Sequence, residues 1–205
     1  MILAFSLGVF GLRYYADSLS VALSVCVIIA FAMVAVASRR HRADEPWRDS
    51  MAALARPTGL AMSLAVIVVM TVYNPFHEGM GWWNGEGERY FNGNLIPLRT
   101  IRLYLASTPS RTVAVQLLGN VLLFVPLGFF LAYGGKQRFL KVFAIGVAVA
   151  VLVEALQFFV GGSVDIDDVI LNSLGGVVGA TIAMGVHRVT RRGSDGVDAE
   201  SRVGY

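Results

Sequence analysis

Long apolar runs, each near the length that a helix needs to cross a bilayer, constrain this chain more than any other feature of its sequence. Five can be marked, at residues 18–37, 57–72, 113–133, 142–160 and 168–187. A helix rises about 1.5 Å per residue and the hydrocarbon core is about 30 Å thick, so roughly 20 residues suffice. No water enters that core, so each segment must satisfy its own N–H and C=O groups, and runs of this kind do so as helices. Composition agrees. The 205 residues are 56% hydrophobic and 15% charged, where a soluble domain carries about 25% charged residues. The expected fold is all-α, a polytopic transmembrane bundle of about five helices. Residues 1–12 are apolar but too short to span, and they lack the basic segment and small-residue cleavage site of a secretory signal. Residues 1–15 read as either an outward extension of the first span, the favoured reading, or an interfacial segment.

Lys and Arg set the expected orientation. With five spans the connectors alternate sides. One side receives Arg39, Arg40, Arg42, Arg48, Arg56, Lys136, Arg138, Lys141, Arg188, Arg191, Arg192 and Arg202. The other receives Arg13, Arg89, Arg99, Arg102 and Arg111. Basic residues gather in cytoplasmic connectors, so the expected topology has the N-terminus outside and the C-terminus in the cytoplasm. The same distribution speaks against nucleic acid: the net charge is only +3 and its carriers sit in short clusters between apolar runs. Pro57 is expected in the first turn of the second helix, where its missing N–H is harmless. The polar tail from residue 190 to 205 reads as disordered.

The informative residues are the polar ones placed inside apolar runs. Glu154 is the acidic residue well within a span, about six residues or roughly 9 Å from the outer end of its helix. An unpaired carboxylate at such depth costs several kcal/mol and by default marks a functional site. Gln157 shares its face, and Gly146 and Ala150 continue that face inward as a packing stripe. The last run repeats the pattern: Asp168, Asn172, Gly175 and Gly179 fall on one face, polar outside and small further in. In the third run Gln116 and Asn120 lie four apart. Three helices thus bring polar groups to similar depths, and the expectation is that these faces converge. Asp165 is suited to cap the final helix, with Asp168 in its first turn. Simple capping is the alternative reading for both aspartates. Interhelical hydrogen bonding is the alternative for Asn120, Gln157 and Asn172. Arg99 and Arg102, beside Tyr104, read as headgroup anchors, and Trp82, Trp83 and Tyr90 as an interfacial aromatic patch.

Several chemistries fail on spacing. His77-Glu78 is not followed by His at position 81, which is Gly, so the zinc-protease pattern is broken. No nucleophile elbow, phosphate-binding loop or dinucleotide fingerprint occurs. A carboxylate-only site for a hard divalent ion, from Glu154, Asp165, Asp167 and Asp168, is a weaker option, and no metal or cofactor is expected. The lone Cys26 sits in an apolar run and reads as packing.

Four blocks carry a family resemblance. They are Asn94-Leu-Ile-Pro97, Gly119-Asn-Val-Leu-Leu-Phe-Val-Pro-Leu-Gly128, Glu154-Ala-Leu-Gln157 and Asp165-Ile-Asp-Asp-Val-Ile-Leu-Asn172-Ser-Leu-Gly175-Gly. In order and spacing these resemble the VanZ-like membrane family, whose founding members are accessory determinants of resistance to the glycopeptide teicoplanin. The resemblance covers residues 54–189 as a four-helix membrane domain, with 1–53 as an N-terminal extension of one helix and a basic connector. It implies a multi-pass protein of the bacterial cell membrane. The family's characteristic residues fall on Asn94, Pro97, Asn120, Pro126, Glu154, Gln157, Asp165, Asp168 and Asn172. The family often has Arg where this chain has Gly162, so the chain must either do without that residue or borrow Arg99 or Arg102. The expected ligand-binding set is Asn94, Arg99, Asn120, Glu154, Gln157, Asp165, Asp168 and Asn172. Membrane lipids are the expected partners, and the expected ligand is a polar lipid headgroup, a lipid-linked wall precursor or a lipoglycopeptide. The residues lean away from an enzyme, and no catalytic residue is assigned. An intramembrane acid/base enzyme using Glu154 on a lipid headgroup, and a structural scaffold, are the competing classes. No internal repeat is visible, which argues against an inverted-repeat transporter.

Overall fold

The structure is a computed structural model that describes the backbone of residues 2–41, 46–73, 93–106, 111–134, 138–159 and 163–203, with side chains over 18–41, 46–71, 93–106, 117–134, 138–159 and 163–189. The aromatic patch at Trp82, Trp83 and Tyr90, the His77-Glu78 pair, Gly162 and the side chain of Gln116 lie outside the described residues. The elements in chain order are α1 (Ile2–His41), α2 (Trp47–Val68) running into a π-helical turn (Val69–Tyr73), β1 (Gly93–Asn94), α3 (Arg99–Ala106), α4 (Arg111–Ala132), α5 (Phe139–Phe159), β2 (Val164–Asp165) and α6 (Ile166–Val203). The chain is an all-α bundle in which one two-stranded element pairs β1 and β2 in parallel, Gly93 with Val164 and Asn94 with Asp165.

Among the described residues four stretches are long and apolar enough to cross a membrane: Ser18–His41, Trp47–Thr71, Phe139–Phe159 and Ile166–Val189. Leu117–Ala132 of α4 is a shorter apolar helix among the described side chains. Leu23, Val27, Ile28 and Phe31 of α1, Leu122 of α4, Leu152 of α5 and Val186 of α6 all face outward. Water-soluble monomers rarely leave contiguous apolar surface of this extent uncovered, and lipid is the solvent that suits it. At 40 residues α1 is about 60 Å long, roughly twice the hydrocarbon core, so its first half extends beyond the apolar stretch.

The closest packing is between α4 and α6, which run parallel. A methyl group on Gly175 would overlap the Val121 carbonyl, one on Gly179 the Val125 carbonyl, and one on Gly128 the Gly176 carbonyl. The small-residue face therefore lets two backbones touch, the expected use of such spacing in lipid. Against this pair α5 packs on α6, α2 on α4, and α1 on α2. Ile67, Phe124, Leu127, Leu131, Val142, Ala150, Val153, Ala180 and Ala183 fill the shared core.

Two expectations need correction. Pro57 does not open the second helix: α2 begins at Trp47, ten residues earlier, with Pro57 inside it. Pro46 supplies the start, its carbonyl accepting from Asp49 N–H at 3.0 Å and Ser50 N–H at 3.1 Å. The helix-favouring run Met51-Ala-Ala-Leu-Ala55 then carries the chain past Pro57, which is exposed, like Ala53, whose carbonyl loses its partner. The second correction is the tail, which continues α6 as helix to Val203. Extending an existing helix avoids the nucleation penalty that an isolated polar segment faces.

The two ends of the bundle differ. At one end Arg56 donates from Nε to the Phe130 carbonyl at 3.2 Å and from Nη2 to the Leu131 carbonyl at 3.1 Å. Those carbonyls belong to the last turn of α4, where no intrahelical donor remains and the dipole favours a cation. Gly134, at φ +87°, follows that turn in the left-handed conformation usual beyond a helix C-terminus. The opposite end gathers the acidic and amide residues.

A candidate polar site at one end of the bundle

The β1–α3 segment and the β2–α6 junction are sewn together by side chains. Asn94 Nδ2 donates to Asp165 Oδ1 at 3.0 Å and to Thr100 Oγ1 at 3.0 Å, while its Oδ1 accepts the Ile96 N–H at 3.1 Å. Thr100 Oγ1 donates to Asp165 Oδ2 at 2.5 Å. Asp165 also caps α6 as its sequence position suggests, Oδ1 accepting the Asp167 N–H at 2.9 Å. The Asn94 and Asp165 of the two sequence blocks are thus direct partners, and their strands pair beside them.

Asp167 was not expected at the centre of this junction, and it is the most buried carboxylate, with 0% exposure. Its Oδ1 accepts the Leu98 N–H at 2.5 Å and its Oδ2 the Ile101 N–H at 3.0 Å. A carboxylate from α6 thereby caps the N-terminus of α3 from across the chain, satisfying donors that a helix start leaves free. Leu98 enters α3 at φ +64°, a left-handed conformation rare for a leucine. The fixed carboxylate holds it there. Nothing in local sequence signals a cap supplied from a residue 69 positions away.

Glu154 sits beneath this junction, 3% exposed, with Oε2 accepting the Asp165 N–H at 3.0 Å. Asp168 lies one residue past Asp167, and Asn120 Nδ2 of α4 donates to its Oδ1 at 2.5 Å. Asn172, one turn further along α6, is 2% exposed, and its Oδ1 has no hydrogen-bond partner among the described residues. The structure therefore brings Asn94, Asn120, Glu154, Asp165, Asp168 and Asn172 to one end of α4, α5 and α6. Gly146 and Ala150 are buried below Glu154, as the stripe on its face implies.

Two residues of the expected set stand apart. Gln157 Nε2 points to the carbonyl of Thr71 at 3.4 Å, in the π turn that ends α2, so it ties α5 to α2. Arg99 is exposed at the start of α3. It sits among the exposed Leu95, Ile96, Leu98, Leu103 and Leu105, the mixture of a segment lying in a membrane interface. Sequence reasoning missed Thr100, Thr71 and the role of Asp167; for Asp167 the only available signal was the Asp165-x-Asp-Asp168 run itself.

The divalent-ion option is not met by this geometry. Among the described residues no group of three or more Asp, Glu, His or Cys is arranged to hold a metal ion. The reason is visible in the bonds: Asp167 is turned to α3, Asp165 to Asn94 and Thr100, and Asp168 to Asn120. The arrangement can instead offer acceptor oxygens from Glu154, Asp168 and Asn172 to a polar group entering from the bundle end.

Comparison with known proteins points the same way as the motifs. Residues 60–188 match the family model described as VanZ/LLP1. Over 66 residues the chain is 38% identical to Protein VanZ of Enterococcus faecium, a match covering 31% of this chain and 41% of that protein. The chain thus aligns with less than half the length of this relative. No solved structure matches.

Proposed function

The chain belongs to the VanZ/LLP1 family, and on that premise we propose that it is a multi-pass protein of the bacterial cell membrane whose polar bundle end engages the headgroup of an outer-leaflet lipid, lipid-linked wall precursor or lipoglycopeptide. The orientation expected from the Lys and Arg distribution supports this reading, since with the N-terminus outside Glu154, Asp168 and Asn172 fall on the outer side. The observation that carries the reading is Asn172: a buried acceptor left without a partner among the described residues, one turn from Asp168. Buried polar groups are nearly always satisfied, and an exception calls for a missing partner. A pure scaffold has no use for it, because an apolar residue would pack there at lower free energy. A headgroup entering beneath α3 would reach it, and the exposed apolar side chains of α3 with Arg99 and Arg102 suit the interface from which such a group comes.

Tolerance of glycopeptides, the property of the family's founding members, is the corresponding phenotype. The test is to express wild type, Glu154→Gln and Asp168→Asn in a susceptible bacterium, with membrane abundance matched by immunoblot, and to measure susceptibility to teicoplanin and to cell-wall inhibitors. The proposal expects both variants to lose the wild-type phenotype at unchanged abundance. Variants indistinguishable from wild type across these phenotypes would refute it.

A further inference from the structure

The free valences of the polar end specify more than a headgroup. Asn172 Oδ1 is unpartnered and buried. Asp168 uses Oδ1 for Asn120, and Glu154 uses Oε2 for the Asp165 N–H; among the described residues Asp168 Oδ2 and Glu154 Oε1 accept no hydrogen bond. The carboxylate atoms left over are acceptors, as is the Asn172 oxygen beside its own amide N–H donors. The donors given above to Asp168 and Glu154 are neutral: an amide and a backbone N–H. A buried carboxylate such as Glu154, with no countercharge among the described residues, is strongly unfavourable, and an acceptor amide oxygen adds a further oxygen asking for a proton.

Resting on the headgroup-site reading above, we infer that the group bound beneath α3 is a primary ammonium, donating N–H bonds to Glu154, Asp168 and Asn172. A hydroxyl brings donors without charge. A quaternary ammonium brings positive charge without donors, and an ionised phosphate brings negative charge and acceptors. An ammonium has three donors in a compact cation, which suits the free oxygens of Glu154, Asp168 and Asn172 and supplies the positive charge that their neutral partners lack. The chemistry is shared by amine-bearing lipid headgroups and free alkylamines.

The test uses the full chain purified in a neutral detergent, with the unfolding midpoint followed by scanning fluorimetry. Phosphatidylethanolamine, phosphatidylcholine and phosphatidylglycerol are added separately in mixed micelles, and ethanolamine is added free in solution. At a large excess over Kd the inference expects phosphatidylethanolamine to raise the midpoint by roughly 5 °C or more, with phosphatidylcholine and phosphatidylglycerol giving no comparable rise. An equal rise with free ethanolamine identifies the amine itself as the ligand; a rise with the lipid alone identifies a lipid-borne amine. Both support the ammonium assignment.

Two variants separate binding from folding. Asn172→Leu removes an acceptor that has no internal partner, so its midpoint without ligand should equal or exceed that of wild type, while the amine-dependent rise is lost. Asp168→Asn retains an oxygen for Asn120 but removes the charge, and it should lose the preference for phosphatidylethanolamine. Equal stabilisation by phosphatidylglycerol or phosphatidylcholine, or an undiminished amine response in Asn172→Leu, would overturn the inference. The headgroup reading would survive that outcome if Glu154→Gln still lost the envelope phenotype, and would fall with it if the phenotype were also unchanged.

Discussion

Replacing Asp167 with Ala removes the carboxylate that holds α3 against the start of α6, and the structure gives the size of the loss. The side chain is fully buried and accepts two backbone N–H groups, from Leu98 and Ile101. Hydrogen bonds to a charged acceptor contribute about 1.5–3 kcal/mol each. Loss of a helix N-cap costs about 0.5–2 kcal/mol, a figure that overlaps the first because the cap is one of the bonds. The combined expectation for Asp167→Ala is roughly 3–5 kcal/mol, drawn from the β1–α3 segment more than from the packed helices. Asn keeps one acceptor oxygen, so Asp167→Asn should lose about half as much. Amide hydrogen exchange in detergent reads this directly. At ~1.4 kcal/mol per tenfold, a local loss of about 3 kcal/mol accelerates exchange at Leu98 and Ile101 more than a hundredfold, with protection in α4 and in α6 below Asn172 largely kept. Unchanged protection across residues 93–106 in Asp167→Ala would refute the cap.

Three other outcomes follow from the packing. Gly179→Ala puts a methyl into the Val125 carbonyl and should lower the detergent unfolding midpoint, by the equivalent of about 1–3 kcal/mol or more. Gly185→Ala meets open space on the same helix and should be neutral or stabilising by up to about 1 kcal/mol; equal effects of the two would remove the case for backbone contact between α4 and α6. Arg56→Ala leaves the last carbonyls of α4 without their guanidinium and should destabilise by about 1–3 kcal/mol in the same assay.

The helices were legible because lipid imposes a simple rule: an apolar run of sufficient length has one backbone solution. The face of α6 carrying Asp168, Asn172, Gly175 and Gly179 was legible for a similar reason, since helical periodicity alone aligns those four residues. Their meeting with Asn120 could be expected from depth. The junction above Glu154 could not. Asn94, Thr100 and Asp165 are joined across 65 to 71 residues, and no periodicity relates a two-residue strand to its partner. Asp167 was hidden by its neighbours, because three aspartates in four positions all read as N-terminal charge on a helix. The start of α2 was misread because Pro57 is a strong break signal, whereas the actual start rests on Pro46 and a run of good helix formers.

The central claim is that the polar end of α4, α5 and α6 holds a membrane-derived ligand, and native mass spectrometry of the chain released gently from bacterial membranes tests it most directly. Wild type should retain a bound lipid or lipid-linked species as a discrete added mass, which Asp168→Asn and Glu154→Gln should lose while remaining folded. The same bound masses at the same occupancy in all three proteins, or none in wild type under conditions that preserve annular lipid, would contradict the account.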